Sequence, residues 1–212
     1  MKEIEELHRH RDGGFDAGNF DSQKYGRLLE SLGLERAHQQ FIQAQNGIYA
    51  FDRALHIFGC SERFPFHHLQ TRNAPSEWRN MYGDAASGLV FFAEDIFGNL
   101  YAKASEKVVL FDLETGERNE VASDFSTWVR YILQDTDYAT GQSLAAEWQR
   151  LHDPLPYSSR LCPKKPFVVG GEFVVDNLYA LAWDKGLLFR ADIARQLRDL
   201  PDGTPIQFKI ID

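Results

Sequence analysis

The sequence predicts an α+β fold, because strand-like and helix-like segments occupy different parts of the 212-residue chain. Between residues 89 and 122, short apolar segments are joined by tight turns, which is typical of an antiparallel meander. Helical periodicity occurs on both sides of that region, at 22–45 and between 124 and 151. With 43% hydrophobic and 13% aromatic residues, the chain has enough apolar side chains for a sizeable core.

The N-terminal part is predicted to be mainly helical. A short helix fits residues 2–10, and a longer helical pattern runs over 22–45, where apolar residues recur every three or four positions. The Asn-Gly pair at 46–47 tolerates the left-handed conformation and predicts the end of this pattern. Short extended segments are expected next, at 48–51 and 55–59.

The central part contains the predicted meander. Before it, residues 60–75 are expected to be irregular and residues 76–82 to form a short helix. The strands of the meander are predicted at 89–92, 100–103, 108–112 and 118–122. Two helices are predicted after it, at 124–133 and 141–151.

The C-terminal part has a different pattern. Four prolines between 154 and 166 predict a long surface loop. Strands are predicted at 167–169, 178–183 and 206–210, and a helix over 185–199. Because this part has little core of its own, we expect it to pack on the central sheet or to extend it.

The charge and the cysteine content narrow the function classes. The formal net charge of −8 repels phosphates, so direct DNA or RNA binding is not expected. The same charge favours a basic protein partner, although it also serves solubility. Cys60 and Cys162 form no C-x-x-C pair, which favours a reducing compartment. With no apolar signal segment and no run near the roughly 20 residues that cross a bilayer, we expect a cytoplasmic protein without a membrane partner.

Several motifs resemble those of a known family. The first is the aromatic strand and turn VFFAEDIFGNLY at 90–101, followed by KVVLFDLETGE at 107–117 and the helix ASDFSTWVRYIL at 122–133. These segments resemble the core of the SUKH superfamily, which fungal cell-wall-synthesis regulators and bacterial immunity proteins share. The segments PFVVGGEF at 166–173 and IARQLRDLPDG at 193–203 are similar to a longer bacterial subgroup of that superfamily.

The resemblance implies a mostly antiparallel central sheet with helices packed on one side, and a protein that is not an enzyme. The residues themselves indicate a polar N-terminal segment at 1–21, and the resemblance implies a SUKH-like core at 22–135 and a C-terminal extension at 136–212. Many bacterial members look like immunity proteins, which neutralise secreted toxins, often nucleases, by direct contact. The alternative that the fungal members suggest is a regulatory or scaffold protein that binds host partners. The chain departs from the family pattern at 48–75, and it has no proline-led helix start near Tyr25.

Glu94 and Asp95 are the most prominent candidates for chemistry. Adjacent side chains in a strand point to opposite faces, so a shared proton or metal would need a bulge or turn and further ligands. No nearby His-x-His or Asp-x-Asp pattern supplies such ligands. We therefore expect two solvated charges at the tip of a hairpin. An enzyme that uses these two carboxylates as an acid pair is the weaker alternative.

The expected partner surface combines acidic and aromatic side chains. Acidic residues in the turns and the last strand of the meander would form a negative rim, which could occupy the basic groove of a nuclease toxin; a solvated face is the alternative. Aromatic residues at these spacings mostly belong in the core, but an exposed subset would provide interface anchors. The candidate partner-binding residues are Glu94, Asp95, Glu114, Glu117, Glu120, Trp78 and Tyr82.

The remaining candidates do not complete a site. The His-His pair at 67–68 is the most ligand-like, but adjacent histidines diverge on a strand, and with Cys60 seven residues before His67 no fourth zinc ligand is evident. Neither cysteine stands in a pattern that marks a nucleophile. The glycine pair at 170–171 is not followed by a helix start with a lysine, as a phosphate loop requires. We predict no catalytic residues, no metal and no cofactor.

Overall fold

A six-stranded antiparallel sheet forms the centre of the fold. The computed structural model describes residues 2–201 and 204. Each strand is hydrogen-bonded to the next one along the chain, which defines a simple meander with the order β1-β2-β3-β4-β5-β6. The strands are β1 Ile48–Ala50, β2 Leu55–Ile57, β3 Leu89–Glu94, β4 Leu100–Ala104, β5 Lys107–Phe111 and β6 Arg118–Ala122.

Helices pack against this sheet, so the predicted α+β meander is confirmed. They are α1 Lys2–Arg9, α2 Ser22–Ser31, α3 Arg36–Gln45, α4 Leu69–Asn73, α5 Glu77–Tyr82, α6 Phe125–Gln134, α7 Thr136–Thr140, α8 Gln142–Leu151 and α9 Trp183–Leu197. Within the described ranges, none of these helices has the length and apolar character needed to cross a bilayer.

Local sequence signals set several helix ends. Asp21 caps α2 by accepting hydrogen bonds from the backbone N–H groups of Gln23 and Lys24. Asp124 caps α6 in the same way, with a 2.7 Å bond from the Thr127 N–H. Asn46, in the left-handed region with φ of 49°, ends α3 as the sequence predicts.

The core between the sheet and the helices is rich in aromatic rings. Trp128 of α6 meets Phe92 of β3 edge to face at 4.9 Å between ring centroids. His38 of α3 stacks on Phe125 at 4.1 Å, and its side chain is buried. These contacts join α3 and α6 to the centre of the sheet.

A β-bulge interrupts β3 in the middle of this core. Phe91 pairs with Ala102 and Ala93 pairs with Tyr101, so Phe92 is an extra residue on β3. The two adjacent phenylalanines are both buried and pack on different aromatic groups, Phe91 on Trp78 and Phe92 on Trp128. The bulge thus lies just before Glu94, at the end of the same strand.

Up to residue 201, the C-terminal segment packs against the meander and adds no strand to it. Strands β7 Ser159–Pro163 and β8 Leu178–Ala182 form a separate two-stranded sheet. The Leu161 N–H donates to the Ile96 carbonyl oxygen at 2.9 Å, which ties β7 to the turn after β3. Helix α9 packs on α5, and Arg198 after it donates to the Met81 carbonyl.

Two sequence predictions for this segment are wrong. Residues 159–163, predicted as part of a surface loop, are buried and paired with β8. The six residues between Pro156 and Pro163 leave room for a strand, which ends at Pro163. Residues 167–169, predicted as a strand, form a short 3-10 helix. The strand predicted at 206–210 lies outside the described residues.

The buried His38 provides a test of this core. Burial lowers its pKa to about 3, and its Nε2 atom has no hydrogen-bond partner among the described residues. Because the folded-state pKa lies below the usual 6.5, folding stability is fully present above pH 6.5 and is lost as the pH falls towards 3. His38→Leu should remove this loss, which amounts to roughly 1.4 kcal/mol per unit of pKa difference.

Chemical denaturation at pH 8 and pH 5 measures the effect. The stability of the variant relative to the parent protein should increase from pH 8 to pH 5. If the difference in stability between variant and parent is the same at pH 8 and pH 5, His38 has the same pKa in the folded and the unfolded chain.

Candidate functional site

The most strongly charged part of the interior is centred on the carboxylate of Glu94, at the end of β3. Its Oε1 atom lies 2.9 Å from Nδ1 of His56 in β2 and 2.9 Å from Nε of Arg160 in β7. Its Oε2 atom accepts a hydrogen bond from Arg72 in α4. All four side chains are buried. Elements that are far apart in sequence therefore meet at one carboxylate.

The protonation of Glu94 follows from these neighbours. Burial alone would raise the pKa of its carboxyl group, but the charges of Arg160 and Arg72 and the His56 contact outweigh burial and hold the pKa well below its usual range. Glu94 is therefore ionised at neutral pH. Its contribution to stability is present above the ordinary glutamate pKa of 4.5 and is lost as the pH falls below that value.

The guanidinium group of Arg72 is held by aromatic rings as well as by Glu94. It lies 4.4 Å from the centroid of the Phe58 ring and 5.0 Å from that of Trp183, the first residue of α9. Such cation–π contacts favour a cation that has lost its water. Arg72 thereby connects α4 to the start of α9.

A chain of hydrogen-bond contacts leads away from Glu94 through two histidines. His56 Nε2 lies 2.8 Å from His67 Nδ1, and His67 Nε2 lies 2.7 Å from the Asn46 carbonyl oxygen. Burial lowers the pKa of His67 to about 4 and that of His56 well below 6.5. Both ends of the chain are acceptors, so its three contacts require three protons, and two neutral imidazoles supply two. With two neutral imidazoles, one of the three contacts therefore has no proton to share. It becomes a hydrogen bond only when one imidazole or the carboxyl group takes up a further proton.

Asp95 has a different set of partners and builds the turn after β3. Its two carboxylate oxygens accept hydrogen bonds from the backbone N–H and the side-chain amide of Asn99, at 2.9 and 3.0 Å. The amide oxygen of Asn99 accepts in turn from the Leu113 N–H at 3.2 Å. Burial raises the pKa of Asp95 to about 7.

The prediction that Glu94 and Asp95 are solvated charges is wrong. They are 3% and 5% exposed, respectively. The hairpin tip is not free, because β7 and α9 pack over it and supply Arg160 and Arg190. In this structure neither carboxylate is accessible to a protein partner.

Three other candidate partner-binding residues are also buried. Trp78 and Tyr82 of α5 belong to the core, where Tyr82 packs on Phe111 and donates its hydroxyl hydrogen to the Leu113 carbonyl. Glu114 is 3% exposed and accepts from the Val168 N–H at 2.9 Å, with Arg190 Nη2 at 3.9 Å from its other oxygen. The C-terminal segment contributes to the burial of all three, because α9 packs on α5 while Val168 and Arg190 contact Glu114.

Two of the candidate residues remain at the surface. Glu117 and Glu120 are exposed, at the turn before β6 and within β6 itself. Glu120 forms an exposed ion pair with Lys107 across the β5–β6 ladder. Of the named candidate residues, these two are accessible to a partner.

Sequence reasoning missed the arginines of the interior, Arg72, Arg160 and Arg190. An isolated arginine gives no pattern that distinguishes it from a surface charge. His67 attracted attention as a metal ligand, but it is hydrogen-bonded to His56 and to the backbone of Asn46. Over the described part of the chain, no group of three or more His, Cys, Asp or Glu residues is arranged to hold a metal ion.

Comparisons with known proteins identify the fold alone. No protein-family model matches this chain, and no curated protein matches it either. The crystal structure of Atu4351 from Agrobacterium tumefaciens is similar, with a TM-score of 0.56 over 90% of this chain and 88% of that one. The two sequences are 12% identical. At this identity the similarity concerns the overall fold, which the two proteins share in outline.

The charge compensation at Glu94 can be tested by one substitution. Glu94→Gln should lower the free energy of unfolding by about 3 kcal/mol at pH 7, because Arg72 and Arg160 would stay buried without a counter-charge. The difference in the free energy of unfolding between the variant and the parent protein should decrease as the pH falls below the ordinary glutamate pKa of 4.5.

Urea denaturation measures both effects. The matched control is Glu120→Gln, which removes one partner of the exposed pair with Lys107 and should cost less than about 1 kcal/mol. Equal, small effects of the two substitutions would contradict the idea that Glu94 compensates the buried arginines.

Proposed function

We propose that this chain is a non-catalytic protein-binding module, a cytosolic immunity protein of the SUKH type that neutralises a bacterial toxin by direct contact. The observation that supports the proposal is that the chain's buried ionisable groups and its exposed acidic residues lie in different places. The groups suited to acid–base chemistry, Glu94, His56 and His67, are buried and bonded to one another, while exposed acidic residues lie at the edge of the sheet. A substrate would have to displace the packed interior to reach them.

A binding face is available at the end of the meander. The turn before β6 and the segment after α9 border an open groove of about 540 Å³. Glu117 lies on one side of this groove, and the half-exposed apolar residues Val168 and Leu200 lie in it. We call Glu117, Glu120, Val168 and Leu200 the acidic-apolar face. It offers a partner both charge and apolar area, as interfaces require.

A basic toxin domain is the partner that this face fits best. Toxins that act on nucleic acids need a positively charged groove for their substrate, and an acidic protein can occupy that groove by charge complementarity. The net charge of −8 would also attract such a partner over a distance and increase the association rate. The resemblance to the immunity branch of the SUKH superfamily points to the same class of partner.

The test is binding to the C-terminal domain of a large secreted protein that is encoded beside this chain. The two proteins should co-purify, and calorimetry should give nanomolar affinity that weakens between low and high salt. Failure to bind any neighbouring gene product would contradict toxin neutralisation and favour the regulatory or scaffold alternative.

Substitutions locate the contact. Glu117→Gln combined with Glu120→Gln should weaken binding by about tenfold at low salt, mainly through slower association, because two exposed negative charges are lost. The matched control is Glu30→Gln, an exposed glutamate on α2. If the control weakens binding as much as the double variant does, net charge alone acts and the acidic-apolar face is not the contact.

A further inference from the structure

A small cavity lies between the turn after β3, strand β7 and helix α9. Its volume is about 20 Å³, which is room for one ligand of the size of a water molecule. Its polar side chains are Glu94, Arg160, Cys162 and Arg190, and the partly exposed residues Leu181, Trp183 and Gly186 form another part of its wall. The cavity is thus close to the surface on the side of β8 and α9.

The two arginines of this cavity have donors without acceptors. Arg190 is 2% exposed, and its Nη1 donates to the Phe97 carbonyl. Its Nε and Nη2 atoms have no hydrogen-bond partner among the described residues, and the nearest carboxylate oxygen to Nη2, that of Glu114, is 3.9 Å away. Arg160 is 5% exposed, and its Nη1 donates to the Ser159 carbonyl while Nη2 has no partner there either.

Buried guanidinium N–H groups need acceptors. A buried donor without one costs the free energy of its lost hydration, more for a charged group than for a neutral one. Several such donors from two arginines line or border one cavity, so a single acceptor placed in it could serve more than one of them. The cavity therefore has the composition of a binding site rather than that of a packing defect.

The charge balance indicates the sign of the ligand. Two guanidinium groups and one carboxylate line the cavity, which leaves one positive charge in excess. Glu94 is the carboxylate, and it already pairs with Arg72 and His56 outside the cavity. Beyond the lining, Arg72 and Glu114 carry opposite charges. Asp95 also interacts with the charge of Arg190, but burial raises its pKa to about 7, so below that pH it is protonated and leaves the positive excess in place. A neutral water molecule would leave the positive excess in place, whereas a monovalent anion would cancel it.

We propose that this cavity binds one small monovalent anion of the halide type, held by the N–H groups of Arg160 and Arg190. The volume excludes polyatomic anions such as phosphate and sulfate. The anion connects β7 and α9, which supply the two arginines, with the turn after β3, whose Phe97 and Gly98 also line the cavity. This site is independent of the proposed toxin-binding function.

Binding to the folded state alone must raise its stability by mass action. Thermal unfolding of the full chain in sodium chloride should therefore give a higher Tm than in sodium gluconate of the same ionic strength. At a chloride concentration ten times the dissociation constant, the increase should be about 3 °C for a chain of this length. Equal ionic strength removes the general screening of surface charges from the comparison.

Two variants of α9 and its C-terminal end assign the effect to the cavity. Arg190→Lys keeps the positive charge opposite Glu114 but removes the fork of N–H donors, so the difference in Tm between chloride and gluconate should disappear. Arg198→Lys is the matched control, since Arg198 is exposed and does not line this cavity. The control should keep the full difference.

Crystals of the parent protein grown in sodium bromide give a direct reading. An anomalous peak between Arg160 and Arg190 would support the site. Equal Tm values in chloride and gluconate, or the same difference in Arg190→Lys as in the parent, would overturn the proposal, as would bromide crystals without that peak. Should Arg190→Lys fail to fold, the bromide experiment on the parent protein decides the matter alone.

Discussion

The buried carboxylate of Glu94 is the constraint on which the arrangement of the other elements depends. Moving an ionised group out of water costs several kcal/mol even after relaxation, and only close counter-charges with good geometry offset this cost. The compensating groups come from β2, α4 and β7, which span residues 56 to 160. Because one partner alone does not suffice, the cluster can form only when all these elements are in place.

The histidine chain adds a constraint on the backbone. His67 fits between His56 and the Asn46 carbonyl only because two glycines leave room. A Cβ atom on Gly47 would lie 2.5 Å from His67 Cε1, and one on Gly59 would lie 2.0 Å from the Asn46 oxygen. The Asn-Gly pair that ends α3 therefore has two roles, since it stops the helix and presents its carbonyl oxygen to the buried imidazole.

Local signals explain which features the sequence could predict. The four strands predicted for the meander, the start of α6 and the end of α3 depend on neighbouring residues, and all of them occur close to where the sequence indicates. The burial of Glu94 depends on arginines 22 residues before it and 66 residues after it. No local pattern carries that information. Strand β7 was missed for the same reason, since its burial comes from β8 and from the turn at Ile96.

Under the proposed function, the same distinction would separate the residues for stability from those for recognition in this chain. The buried charge of Glu94 is compensated by Arg72 and Arg160, so a change at any of these three residues affects the fold first. Glu117 and Glu120 lie at the surface, and surface charges of this kind contribute little to stability. A binding protein built in this way can change its surface residues, and with them its partner, while the buried cluster keeps the scaffold unchanged. An enzyme that used Glu94 and His56 would lack this freedom, because its chemistry and its stability would reside in the same side chains.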